Sequence, residues 1–210
     1  AEFVEQVEEL AHMHVMLDHA RGVFVDVLRG CGALAGLLPE VDALFGVPQP
    51  VQWHPEVDTG LHTMMVVEQA AQLSDATEVR FAALAHDLGK GTTRLGDLPS
   101  HPGHERRGRK LINAMSDRMP LPRACRDLGL LVAEYHTHCH RAFELRDDTV
   151  VKLLEKTDAF RRPERFEQFL TACEADARGR TGFEHRDYGQ ALHLREAYAA
   201  AAAVDAGSIA

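Results

Sequence analysis

Apolar side chains recur at three- and four-residue steps through L-H-T-M-M-V-V-E-Q-A-A-Q-L (61–73), and that period belongs to a helix. It returns in V-R-F-A-A-L-A-H (79–86), closed by the breakers Gly89 and Gly91, and again over 104–119, 122–134, 149–160, 163–178 and 190–204. Pro122 and Pro163 open two of these segments in the first turn, where a missing N–H costs no hydrogen bond. No stretch alternates apolar and polar residues as a half-buried strand does, so the expected fold is all-α. Pro48, Pro50 and Pro55 mark an irregular loop. The expected division is a helical neck over 1–52, a helical bundle over 53–162 and a C-terminal helical segment over 163–210. In residues 1–20, Glu5, Glu8 and Glu9 lie among Phe3, Val4, Val7 and Leu10. That pattern fits an amphipathic helix and equally a frayed junction.

Charge then limits the partners. The formal net charge is −9, whereas a protein that grips nucleic acid by its phosphates carries a basic surface. Contact with nucleic acid would therefore run through local basic patches: Arg106, Arg107, Arg109 and Lys110, or Arg161, Arg162 and Arg165. Such patches are commonly solvated faces, but beside a phosphate-binding site they could steer substrate. The four cysteines, Cys31, Cys125, Cys139 and Cys173, form no C-x-x-C pair and read as reduced thiols. No signal-peptide pattern opens the chain, and no run of eighteen apolar residues is free of charge. The expected location is the cytoplasm.

Among thirteen histidines, the adjacent pair His86-Asp87 in A-H-D-L-G-K-G carries the most information. Neighbours on a helix point about 100° apart, so both reach one ion only where the helix is ending, which Leu88-Gly89-Lys90-Gly91 supplies. Imidazole with carboxylate suits divalent ions such as Mn, Mg, Ni, Co or Zn. His62 sits within the apolar face of the preceding helix. Asp158, in V-V-K-L-L-E-K-T-D-A-F, reads as late in another apolar helix and partly buried. An isolated buried carboxylate needs a cation or several donors. One ion held by His62, His86, Asp87 and Asp158 explains all three awkward polar groups. Asp176 is the rival for the last place, although Arg178 and Arg180 beside it offer an ion pair instead.

Two more histidines stand at expected helix ends: His104 opening one in H-P-G-H-E and His136 closing one in E-Y-H-T-H. They fit a second ion bridged by Asp87, or contact with a substrate phosphate and its leaving oxygen. The run His136-Thr137-His138-Cys139-His140 tempts a zinc reading, but its i, i+2 spacing suits neither a zinc finger nor an i, i+4 helical pair. Lys90 is near enough to touch a phosphate at the metal, or is a solvated helix-end cation favoured by the dipole.

The order H…HD…D, with its all-helical setting, resembles the HD-domain phosphohydrolases. Longer segments narrow the likeness: W-H-P-E-V-D-T-G-L-H-T-M-M-V (53–66), V-R-F-A-A-L-A-H-D-L-G-K-G (79–91), H-P-G-H-E (101–105), A-E-Y-H-T-H-C-H-R (133–141) and C-E-A-D-A-R-G-R-T-G-F-E (173–184). From roughly Arg21 to Tyr198 the chain resembles the C-terminal HD part of bacterial multifunctional CCA-adding enzymes, a tRNA nucleotidyltransferase family. Residues 28–50 are similar to the stretch that precedes the HD domain there. The Gly-rich motif and D-x-D pair of that family's polymerising head do not occur together in these residues, so CCA addition by this chain alone is not expected.

The resemblance implies phosphatase, 2′-nucleotidase and 2′,3′-cyclic phosphodiesterase activities on nucleotides or tRNA 3′-ends, with a nucleotidyltransferase domain as partner. A homodimer stays open. The implied chemistry is hydrolysis: the ion acidifies a water and polarises a phosphoryl oxygen, with Asp87 helping to take the proton and Lys90, His104 or His136 steadying the developing charge. The rival from another class is a non-catalytic tRNA-binding or dimerising tail; a third is a nucleotide-sensing domain that binds without hydrolysis.

Overall fold

A computed structural model describes residues 23–204, and the reading of residues 1–20 lies outside that range. Ten α-helices and three short 3-10 turns account for the regular structure of the described residues. The helices are α1 (Val23–Gly30), α2 (Leu34–Leu37), α3 (Pro39–Asp42), α4 (Thr59–Leu73), α5 (Thr77–Ala85), α6 (His104–Arg118), α7 (Arg123–His140), α8 (Asp147–Lys156), α9 (Pro163–Arg178) and α10 (Gly189–Ala202). No strand occurs among them, and an isolated bridge joins Pro48 to Asp58. The all-α expectation holds.

Helix α5 explains the arrangement. Val79 to Ala85 are buried on every face, Arg80 included, so this helix lies inside the bundle. It packs between α4, α7 and α9, so whatever follows its last turn emerges in the middle of the bundle. Phe81 and Leu84 of α5, Leu128 of α7, and Phe166, Phe169 and Leu170 of α9 are fully buried in one core. Leu34, Val41 and Leu44 from the α2–α3 region belong to that same core. Asp58 caps α4 by accepting from Leu61 N at 2.9 Å, and its other oxygen accepts from Gly46 N at 2.6 Å. One carboxylate thus fastens the proline-marked loop to the helix that carries His62.

Helix α5 ends at Ala85; His86 keeps helical angles while Asp87, at φ −115° and ψ 13°, has left the helix. The 3-10 turn Leu88–Thr92 follows. A Cβ on Gly89 would lie 1.9 Å from the His104 carbonyl oxygen, so only glycine lets this turn rest on the first turn of α6. That contact sets His104 opposite Asp87.

Two helix ends differ from expectation. Helix α7 runs to His140 rather than stopping near 134, because Y-H-T-H-C-H contains no breaker. Helix α8 stops at Lys156 instead of running to 160, which leaves Asp158 outside it.

Candidate metal centre

Two buried carboxylates, Asp87 and Asp176, collect five imidazoles from four parts of the fold. His62 comes from the first turn of α4, His86 from the end of α5, His104 from the start of α6, and His136 and His140 from the last turns of α7. Asp176 is carried near the end of α9. Asp87 Oδ1 faces His104 Nε2 at 3.3 Å and His136 Nε2 at 3.6 Å. Its Oδ2 faces His86 Nε2 at 3.1 Å and Lys90 Nζ at 2.6 Å. Asp176 Oδ1 lies 3.1 Å from His62 Nε2 and 3.9 Å from His86 Nε2, and its Oδ2 lies 2.6 Å from His140 Nε2.

The far nitrogens of these rings set the tautomers. Nδ1 of His86, His104 and His136 donates to the backbone carbonyls of Ala83 (2.7 Å), His101 (2.8 Å) and Val132 (2.9 Å). His62 Nδ1 donates to the Gly179 carbonyl at 2.9 Å and to Glu56 Oε1 at 3.0 Å. In their neutral forms His86, His104 and His136 therefore turn an Nε2 lone pair toward Asp87, while His62 and His140 Nε2 lie within hydrogen-bond distance of Asp176. His86 Nε2, His104 Nε2 and Asp87 Oδ1 are buried with no aligned hydrogen-bond partner. Native interiors rarely leave such atoms orphaned, and a cation between them resolves the conflict.

Ligand atoms of His62, His86 and Asp176 lie within 4.8 Å of one another, and so do those of Asp87, His104 and His136. Asp87 adjoins both groups, because His86 also touches its Oδ2. The donors are nitrogen and oxygen without thiolate, which fits a borderline divalent ion. A third set, His54, Glu56 and His62, also falls within that spacing. It is no ligand set, because both Nδ1 atoms already donate to the same Glu56 oxygen.

Electrostatics agree with this geometry. Burial pushes His136 down to about 3, so it stays neutral and open to a cation. Burial also opposes charge on His86, yet Asp87 and Asp176 beside it hold it above the ordinary value. Burial works against both carboxylates, but Lys90 and His86 keep Asp87 well below its usual range, and His140 and His86 do so for Asp176. Burial presses His54 down to about 4 although Glu56 supports its proton.

The expected residues sort as follows. His62, His86, Asp87, His104 and His136 come together. Asp158 does not, and its expected place beside them is corrected. It sits at φ +58°, with Asp158 N donating to Glu155 O and Ala159 N to Leu154 O. This is the Schellman stop of α8, a left-handed position that Asp tolerates. Its carboxylate is taken by Arg161 at 2.6 Å, Arg165 at 3.3 Å and Arg162 at 3.6 Å. The rival Asp176 stands in the cluster instead.

Lys90 is buried rather than solvated at a helix end; it bonds Gln49 Oε1 as well as Asp87. Arg107 is spent on Gly89 O, Thr92, Thr93 and Pro102 O, and Arg109 pairs with Glu134. The arginines of the 161–165 patch are held by Asp158, whereas Arg106 and Lys110 of the first patch remain exposed.

His140, Glu56 and the Gly179 carbonyl went unanticipated. The signal for His140 is present, and the dismissal of an i, i+4 pair in this run is corrected: His140 lies four residues after His136, one helical turn along the same face of α7. For Glu56 and Gly179 the only trace was their position inside the resembling segments 53–66 and 173–184.

The family model described as the HD domain matches residues 59–163, half of the 210-residue chain. The chain is 62% identical over 183 residues to the multifunctional CCA protein of Thioalkalivibrio sulfidiphilus, covering 87% of this chain and 45% of that protein. It is 58% identical over 179 residues to that of Pseudomonas fluorescens strain SBW25, covering 85% and 44%. It is 53% identical over 212 residues to that of Cupriavidus taiwanensis, covering 98% and 51%. The chain thus spans about half the length of the curated relatives it matches.

Proposed function

The chain belongs to the HD-domain family, and from that membership and its histidine–aspartate cluster we propose that it is a metal-dependent phosphohydrolase. The supporting observation is the convergence of imidazole Nε2 atoms on Asp87 and Asp176, with Asp87 Oδ1, His86 Nε2 and His104 Nε2 left unpartnered. Backbone carbonyls hold these rings as acceptors, so His104 and His136 are built to hold a cation rather than to give up a proton.

In this reading His62, His86, Asp87 and Asp176 hold one divalent ion, and Asp87, His104 and His136 hold a second. Manganese, nickel or cobalt suits these four imidazoles better than magnesium does. A divalent ion there supplies Lewis acidity and a water acidic enough to yield hydroxide near neutral pH. The chain's residues do the positioning. Lys90 holds Asp87 Oδ2 and orients the carboxylate between the two groups. Gly179 O and Glu56 hold the His62 ring, and Tyr188 OH, 2.8 Å from His140 Nδ1, steadies that ring against Asp176.

By likeness to the multifunctional CCA proteins, the substrates proposed are nucleotides and tRNA 3′-ends bearing terminal or 2′,3′-cyclic phosphates. Phosphatase, 2′-nucleotidase and cyclic phosphodiesterase activities follow from the same analogy, with a nucleotidyltransferase domain as working partner in the cytoplasm. No helix of the described residues is long and apolar enough to cross a membrane. The test is hydrolysis of bis(p-nitrophenyl) phosphate and 2′,3′-cyclic AMP while Ni, Mn, Co and Mg are titrated. Asp87→Ala should abolish metal-stimulated turnover with the helical circular dichroism unchanged. Full turnover by that variant sinks the assignment, and no turnover with any metal beside salt-sensitive tRNA binding favours the non-catalytic tail.

A further inference from the structure

We propose that Arg180 is the phosphate-binding cation of this site, meeting the substrate at the Asp176 side; the inference rests on reading the cluster as a phosphoester-hydrolysing metal centre. Exposure shows where a substrate arrives. The side chains of His62, His86, Asp87, His136 and Asp176 are at most 4% exposed and those of Lys90 and His104 are 10% and 11%, whereas His140 and Arg180 reach 19%. Both of the latter touch Asp176, so an anion coming from solvent meets the cluster over that carboxylate.

Of the two, Arg180 has donors to spare. His140 is engaged at both nitrogens, by Asp176 and Tyr188. Lys90 is engaged by Asp87 and Gln49, and Arg178 by Glu174 at 2.6 Å. Arg180 makes one long contact, Nη2 to Asp176 Oδ1 at 3.5 Å, and its buried Nε has no hydrogen-bond partner. A guanidinium carries five N–H groups in a fork that matches phosphate oxygens two at a time. Once Asp176 gives its charge to an ion, that single contact weakens and the fork is free for an incoming phosphate.

The backbone makes this placement rigid. Gly179 donates to Ala175 O at 2.7 Å, and its carbonyl receives His62 Nδ1. A Cβ there would fall 2.6 Å from the Val66 side chain and 2.7 Å from its backbone, so the turn is pressed directly onto α4. On the other side, Phe183 N bonds Arg180 O at 2.9 Å and Thr181 N approaches Glu56 Oε2 at 3.5 Å. Arg180 is thus clamped between a ligand's hydrogen-bond acceptor and a closed turn, and little ordering remains for binding to supply.

The test measures binding of inorganic phosphate to the manganese-loaded chain by calorimetry, for wild type, Arg180→Gln and Arg180→Lys. A charged hydrogen bond of ordinary strength predicts a loss of roughly tenfold or more in Arg180→Gln. Arg180→Lys should recover part of it, since charge returns without the fork. Manganese affinity, titrated separately, should stay within about twofold in both variants, because the 3.5 Å contact between Arg180 and Asp176 is no hydrogen bond and does not orient that carboxylate. Phosphate affinity equal to wild type in Arg180→Gln overturns the proposal. So does a parallel loss of manganese affinity, which would make Arg180 a support for Asp176. So does failure of the wild type to bind phosphate. If phosphate binding depends on Arg180 while wild type hydrolyses no ester with any metal, the hydrolase reading fails and the binding role stands.

Discussion

Asp158 and Asp176 invite comparison, because each follows an apolar helical run and each has arginines close behind it in sequence. Their fates are opposite. Asp158 stops α8 at the rim, where three guanidiniums satisfy its carboxylate. Asp176 points from α9 into the interior, among the imidazoles of His62, His86 and His140. The first carboxylate is saturated by guanidinium donors; the second has no guanidinium closer than 3.5 Å and faces His86, whose Nε2 has no aligned partner. A metal site is recognised by that shortage of donors, not by the presence of an aspartate.

The strongest way to break the contrast is to remove each carboxylate in turn. Asp176→Ala should weaken manganese binding by about a hundredfold or more, beyond what loss of an outer-shell partner causes. Asp158→Ala should leave it unchanged and lower the melting temperature slightly. The reverse result would restore Asp158 as the ligand.

Chelation probes the same shortage of donors globally. With manganese at about 100 times its dissociation constant, the ion should stabilise the fold by about 2.7 kcal/mol, and EDTA should abolish that gain. An Asp176→Ala chain should show no such difference.

Gly179→Ala tests how tightly the Asp176 region is assembled. The added methyl must displace Val66 or move the turn, costing about 1–3 kcal/mol in urea unfolding and weakening manganese binding through His62. An unchanged midpoint would show that the turn yields freely.

Protons give the smallest and most specific signal. Asp87 and Asp176 hold His86 above its ordinary value of 6.5. A raised folded value means that the metal-free chain still carries this proton at and somewhat above pH 6.5, and an arriving ion must expel it. Manganese affinity should therefore rise with pH through that window, with a proton released at His86. His136, pushed down to about 3, should release none. Calorimetry in two buffers of different ionisation enthalpy counts the protons, and the Asp158 variants should give the wild-type count.

Much of the centre was legible in the chain. The HD pair at a helix end, His62 on an apolar face and His104 beside a glycine turn each carry local marks. Asp176 was legible as a rival but outranked, because Arg178 and Arg180 made an ion pair look sufficient. In the structure Arg178 turns to Glu174, and Arg180 reaches Asp176 only at 3.5 Å. The stop of α8 was hidden, since a Schellman turn at Thr157-Asp158 carries no glycine to announce it.

The amino-acid sequence by itself determined the helical period and the exit of His86-Asp87 from the end of a helix. Those are local properties, set by side chains within a turn or two of each other. Only the tertiary structure decided which later aspartate completes the cluster and which histidines share it. His62 meets Gly179 across 117 residues and His140 meets Asp176 across 36. Whether a carboxylate ends among donors or acceptors depends on what the packed bundle places opposite it, and helical periodicity says only which way a residue faces.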